Sequence, residues 1–189
     1  MYLKNSFILI FFIILSCQPV EILKPVEIDM ARFEKISINA EKIEVNKKHN
    51  SVFSKSNIED QIQKSPVNLM ADWNSQNILK LGNENKLVIN ILDASIKKTE
   101  IMNVDAKKYE EKTVFKYEVS YLVEYELYDN SNFLIANTTV ESSRSTTSKK
   151  YISLNERDIV INNLLHNALK DFIKETKSMM NTYMFGYIQ

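Results

Sequence analysis

A chain of 189 residues with 24 basic and 24 acidic side chains, and hence no net formal charge, has room for one ordinary domain plus a tail and offers no electrostatic case for a nucleic-acid partner. Its hydrophobic residues, 44% of the total, can bury a core, while two Gly and three Pro exclude collagen-like and linker-like chains. One Cys and two His cannot build a structural zinc site, a disulfide framework or an iron–sulfur cluster, so no metal and no other cofactor is expected.

Residues 1–17 carry Lys4 and then an unbroken apolar run over 7–15. A helix of that length covers about 14 Å, against a hydrocarbon core of roughly 30 Å, so the run reads as the core of a signal peptide and not as a membrane span. It ends in Ile14-Leu15-Ser16-Cys17, which resembles the lipobox of bacterial lipoproteins. The resemblance implies cleavage after Ser16 and acylation of Cys17 by a diacylglyceryl thioether and an N-acyl group. Several acyl chains anchor stably where one binds marginally, which makes the membrane itself a partner. In those lipoproteins an Asp after the acylated Cys favours the inner membrane; Gln18 stands there in this chain and points to the outer one. Without the resemblance, the segment is a secretory signal with an incidental Cys.

Residues 17–32, with Pro19 and Pro25, read as the lipidated N-terminus and an extended tether, and residues 33–189 as a single domain. Ile36, Ile38 and Ala40 alternate with polar residues, then Ile43 and Val45 continue on the other parity. This predicts a strand with a bulge or break near Glu41-Lys42. Residues 46–64 read as a long surface loop. Ser65-Pro66 predicts a helix start and Gly82 a stop, giving a helix over 66–81 with Met70, Trp73, Ile78 and Leu81 near one face. The apolar run 87–92 predicts a short strand buried on both faces, and 97–112 has no sustained pattern. Odd positions from Phe115 to Leu127 are apolar and most even ones polar, the clearest strand in the chain. A turn at 129–132 and the β-branched run 133–147 complete a long hairpin. Ser153-Leu154-Asn155-Glu156 matches a capping box, and Ile161, Leu164, Leu165, Ala168, Leu169, Phe172, Ile173 and Met180 define an amphipathic helix over 154–182.

The order β-α-β-β-β-α implies an α+β two-layer sandwich, with an antiparallel or mixed sheet of about four strands and both helices on one face. This order, the lipobox and the long final helix resemble the small α/β lipoproteins that serve envelope transport machines, such as the lipoprotein partner of the lipopolysaccharide translocon and the auxiliary lipoproteins of lipid-transport ABC systems. The stretches from Ala71-Asp72-Trp73 to Gly82, from Leu87 to Ala94, and Ser153-Leu154-Asn155-Glu156-Arg157 also resemble uncharacterised lipoproteins of alphaproteobacteria. The resemblance spans roughly 65–180 and implies a tethered envelope protein that assists a protein partner.

Glycine occurs only at 82 and 186, which excludes a P-loop or GxGxxG. His49 in Lys47-Lys48-His49-Asn50 reads as part of a solvated loop, and His166 as a boundary residue beside the helical stripe. Glu118, Glu124 and Glu126 share one strand face at a spacing of roughly 6.5–7 Å, open to acid–base or glycosidase chemistry but simplest as the solvent face of a half-covered sheet. Asp72 beside Trp73 could line a pocket, although Trp at helical spacing belongs to a core. The polar run 142–150, with Arg144, Lys149 and Lys150, suits either anionic lipid headgroups or a protected sheet edge. The apolar tail containing Tyr183 and Phe185 either folds back on the sheet or docks on a partner. No catalytic residue is expected. The reading is a non-catalytic accessory or scaffolding lipoprotein at the periplasmic face of the outer membrane. The alternatives are a lipid- or glycan-modifying hydrolase using the strand carboxylates, and a ligand-holding lipoprotein with a cavity between helices and sheet.

Overall fold

The computed structural model describes residues 24, 26–51 and 54–188, so Cys17 and the segment read as the signal peptide lie outside the described residues. In chain order the elements are β1 (Ile36–Ile38), β2 (Lys42–Lys47), α1 (Pro66–Asn77), β3 (Ile78–Lys80), β4 (Lys86–Met102), β5 (Thr113–Tyr128), β6 (Leu134–Ser148) and α2 (Leu154–Tyr183), with 3-10 turns at Met30–Arg32 and Glu59–Gln61. The main sheet has the order β2-β4-β5-β6; β2 runs parallel to β4 and the other pairs are antiparallel. A second sheet pairs β1 and β3 in parallel. The fold is α+β with a mixed four-stranded sheet, as the element order implies.

The alternation of β5 determines where the core lies. Tyr117, Val119, Tyr121, Val123, Tyr125 and Leu127 are all buried on one face. Both helices cover that same face: Tyr125 donates a hydrogen bond to Asn74 of α1, and the Tyr121 ring meets Phe172 of α2 edge-on at 5.7 Å. Phe172 in turn meets Trp73 of α1 at 6.1 Å, so three aromatic rings tie the layers together. Each large ring withdrawn from water contributes about 1.5–3 kcal/mol. This aromatic packing occupies the space between helices and sheet where the ligand-holding alternative expected a cavity. Ser153 accepts from the Glu156 N–H while the Glu156 carboxylate accepts from the Ser153 N–H, closing the capping box at the start of α2. The Ser153 N–H and hydroxyl, both donating to the Glu156 carboxylate, lower its pKa.

Several boundaries differ from the sequence reading. The first strand is two strands in two sheets, and the parity shift marks the crossing: the Asn39 N–H donates to the Tyr187 carbonyl and the Glu41 N–H to Glu84 and Asn85. The first helix stops at Asn77 instead of 81, because Ile78, Leu79 and Lys80 pair with Ile36, Ser37 and Ile38. Gly82 is therefore not a helix stop. It lies where the chain passes Asn39 so closely that any side chain would collide with it.

The expected short strand 87–92 is the first part of β4, which runs on to Met102. A bulge between Ile91 and Asp93 turns the strand over, so Leu87, Ile89 and Ile91 face the helices before it and Ala94 and Ile96 after it. Val88 and Leu92 on the other face are only half-buried, so the strand is not covered on both sides. Part of the expected loop 46–64 belongs to the sheet. Ile58 is buried, and segment 56–58 bonds to the edge of β4 through Ile58 N–H to Ile96 O and Lys98 N–H to Ser56 O. Packing also begins before residue 33: Ile28 is in the core, and the Asn77 amide donates to the carbonyls of Met30 and Phe33. The C-terminal tail folds back, with Met184 buried and Ile188 bridged to Ile38.

Candidate functional site

A cluster of partly enclosed polar side chains lies at the β4 bulge. β2 leaves the sheet edge after Lys47 and segment 56–58 rejoins it at Ile96–Lys98, leaving a gap opposite Asp93 and Ala94. A backbone N–H in such a gap needs an acceptor. His49 enters the gap: the Ala94 N–H donates to His49 Nδ1 at 3.3 Å. Nε2 lies 3.0 Å from Glu59 Oε2, and Nδ1 lies 3.1 Å from Asp93 Oδ1. Only 8% of the His49 and Glu59 side-chain surfaces is exposed, against 39% for Asp93. The expectation of a solvated His49 is thus corrected; its carboxylate partners are remote in sequence, and no local pattern announces them.

Supporting bonds fix the carboxylates. The Asn57 amide donates to Glu59 Oε1 at 3.0 Å, and the Ser95 hydroxyl donates to Asp93 Oδ2 at 3.1 Å. With its proton on Nε2 the ring donates to Glu59 and accepts from Ala94; with its proton on Nδ1 it donates to Asp93. The Ser95 hydroxyl gives its proton to Asp93, and the histidine braces the sheet edge through the Ala94 N–H. The shallow groove over it, about 450 Å³, is lined by Ser54, Ser56, Asn57 and Lys97. Among the described residues no group of three or more His, Cys, Asp or Glu side chains could hold a metal ion.

The three strand carboxylates divide into Glu118 and the pair Glu124 and Glu126. Glu118 accepts from Lys116 at 3.1 Å. Glu124 and Glu126 both accept from the single side-chain amide of Asn90, at 3.1 and 3.0 Å, and Asn90 Oδ1 accepts from the Asn46 amide at 3.2 Å. Asn90 is 1% exposed, so the two carboxylates satisfy a buried amide. Burial and the neighbouring Glu126 push the Tyr128 hydroxyl pKa up.

Trp73 is fully buried in the core while Asp72 faces solvent, so the pair does not line one pocket. His166 is at the helix boundary, its ring 5.4 Å from Phe33, with Nδ1 meeting no acceptor or donor among the described residues. It borders a groove of about 780 Å³ between the segment 26–34 and α2, which Arg32, Lys170 and Lys174 also line. Arg144 is bound to Asp171 of α2. Lys150 binds Glu100 at 2.8 Å, a bond that raises the Lys150 pKa and lowers that of Glu100. Lys149 is exposed, as are Tyr183 and Phe185 on the tail whose ends are tied down.

No family model and no curated protein matches the chain. Among solved structures it is similar to a minor lipoprotein from Acinetobacter baumannii, with 15% identity, a TM-score of 0.40 and coverage of 77% of this chain and 96% of that one. It is also similar to a protein described as a homologue of neuraminyllactose-binding hemagglutinin from Helicobacter pylori, with 10% identity, a TM-score of 0.37 and coverage of 82% and 93%.

Proposed function

We propose that this chain is a bacterial lipoprotein, anchored through acylated Cys17 at the periplasmic face of the outer membrane, and that it acts there as a non-catalytic accessory or scaffolding component of envelope assembly or transport. The sequence 1–17 supplies the anchor. From Cys17 to the first core residue, Ile28, the chain can reach at most about 40 Å, which keeps the domain close to the bilayer and raises its effective concentration beside other envelope components.

The observation that carries the non-catalytic reading is the sharing of one buried Asn90 amide by Glu124 and Glu126. These side chains have a structural task that accounts for their placement, and the hydrolase alternative depends on freeing them for chemistry. The surfaces proposed for an envelope protein partner are the β6 end carrying Arg144, Lys149 and Lys150, and the exposed rings of Tyr183 and Phe185. A ligand-holding role has one specific observation in its favour, the groove of about 780 Å³ beside His166.

The test is a cellular one. A Glu118→Gln, Glu124→Gln, Glu126→Gln variant keeps acceptors for Asn90 and should retain the cellular role. Arg144→Ala with Lys149→Ala and Lys150→Ala, or Tyr183→Ala with Phe185→Ala, should weaken retention of a crosslinked partner. Loss of the role in a folded triple Gln variant would transfer the assignment to a hydrolase.

A further inference from the structure

The two edges of the main sheet are finished differently. At one edge β2 is only six residues long with Lys42 and Lys47 at its ends, and beyond it His49 and segment 56–58 close the edge of β4. At the other edge β6 runs for 15 residues and pairs on one side alone, with β5. From Ala136 to Ser148 that pairing has no bulge, and the segment contains no Pro, Gly or Lys. Its outer main-chain groups meet no backbone partner among the described residues. Side chains on the solvent face show the same contrast: Ser120, Leu122 and Glu124 of β5 are half-buried between neighbouring strands, whereas Thr139, Glu141, Ser143 and Ser145 of β6 are exposed.

An open edge of this length is a template for another strand, and folded proteins block such edges with lysine, proline, a bulge or a covering segment unless a strand is to be received there. The sequence of β6 fits a second copy of itself. Identical strands pair antiparallel about a two-fold axis normal to the sheet, which sets residues of one face opposite residues of the same face. With Ser143 on the axis, Ser142 faces Arg144, Glu141 faces Ser145, Val140 faces Thr146 and Thr139 faces Thr147, so no like charges meet and β-branched side chains do. Arg144, the one cation of the strand, is already held by Asp171 of α2. The same axis keeps the helices of both copies on one side. Segment 26–34 lies on that side too, tied to α2 through Glu34 and Lys177, so both tethers leave toward one bilayer.

We propose that β6 pairs antiparallel with β6 of a second copy of this chain, centred on Ser143, so that two sheets join into one continuous sheet with the helices of both copies on the same side. The inference rests on the accessory reading of the β6 surface and names the partner there, leaving Tyr183 and Phe185 for a different protein. Two tethers on one membrane raise the effective concentration of each copy beside the other, which suits an interface made largely of main-chain hydrogen bonds.

Thiol crosslinking of the full acylated protein in its native membranes tests this, since Cys17 is the only cysteine and acylation blocks it. A Ser143→Cys variant should give covalent dimer at least several-fold more than a Ser131→Cys variant, whose thiol lies in the turn far from the axis. Coexpressed Glu141→Cys and Ser145→Cys chains should crosslink to each other. Ser143→Lys, a change at an exposed site, sets two ammonium groups together and should convert the detergent-extracted protein from dimer to monomer in sedimentation, with an unchanged circular dichroism spectrum. A monomeric native protein, equal crosslinking at positions 143 and 131, a dimer that survives Ser143→Lys, or crosslinking of position 143 to a different protein would overturn the proposal. Retention of other envelope proteins scores the accessory role separately: a monomer that still retains one refutes the pairing and leaves that role standing.

Discussion

Tyr125 of β5 donates its hydroxyl to Asn74 Oδ1 of α1 across 2.9 Å, and the Asn74 amide passes on to the Met70 carbonyl at 2.8 Å. Thr176 of α2 lies beside the Tyr125 hydroxyl and spends its own proton on the Phe172 carbonyl at 2.9 Å. Two inward positions along the same strand face, past Val123, the Tyr121 hydroxyl is equally buried and meets no partner among the described residues. The two tyrosines should therefore respond oppositely to loss of the hydroxyl. Tyr125→Phe strands the buried Asn74 oxygen and should cost about 1–3 kcal/mol, whereas Tyr121→Phe removes an unsatisfied group and should be neutral or stabilising by up to about 1 kcal/mol. Urea denaturation of the two variants measures the difference, and equal destabilisation would mean that Tyr121 has a partner.

Burial pushes the pKa of both hydroxyls up from the ordinary tyrosine value. Below an unfolded pKa of about 10, both states carry the proton and neither residue contributes a pH dependence. As pH rises above that value, the unfolded chain loses protons that the folded chain keeps, so stability must fall, by about 1.4 kcal/mol per pH unit for each tyrosine. Alkaline denaturation midpoints should show this slope, and Tyr121→Phe should reduce it without the structural cost of Tyr125→Phe.

His49 supplies the acceptor for Ala94 N–H and the donor for Glu59. His49→Ala should leave the Ala94 N–H unpaired in the gap, while Glu59 keeps the Asn57 amide, and should cost about 1–3 kcal/mol, with His49→Gln recovering part of that through its amide. Hydrogen exchange by NMR should show the Ala94 amide losing protection in the Ala variant while amides of β5 keep theirs. Unchanged exchange at Ala94 would contradict the bracing role.

The elements legible in the sequence are those whose periodicity is uninterrupted. Odd positions of β5 point inward without a break, and α2 repeats its apolar stripe behind a capping box, so both were within about two residues of their ends. β4 was cut short because its bulge at Leu92 moves the inward residues from odd to even numbers; the change from Leu87, Ile89 and Ile91 to Ala94 and Ile96 was the available signal. Ile78 fits helical spacing as well as a strand, and pairing with Ile36 decides between them. The His49 enclosure was the least legible, since Glu59, Asp93 and Ala94 reach it only through the tertiary fold. The solvent-face reading of Glu124 and Glu126 missed Asn90, whose amide lies on the neighbouring strand.

The account turns on Cys17, since the tethering of the domain to a membrane depends on it. Intact mass spectrometry of the native protein extracted from membranes tests this most directly. The account predicts a chain lacking residues 1–16 and carrying added acyl mass on Cys17; a mature chain with an unmodified Cys17, or one that retains its first 16 residues, would contradict it.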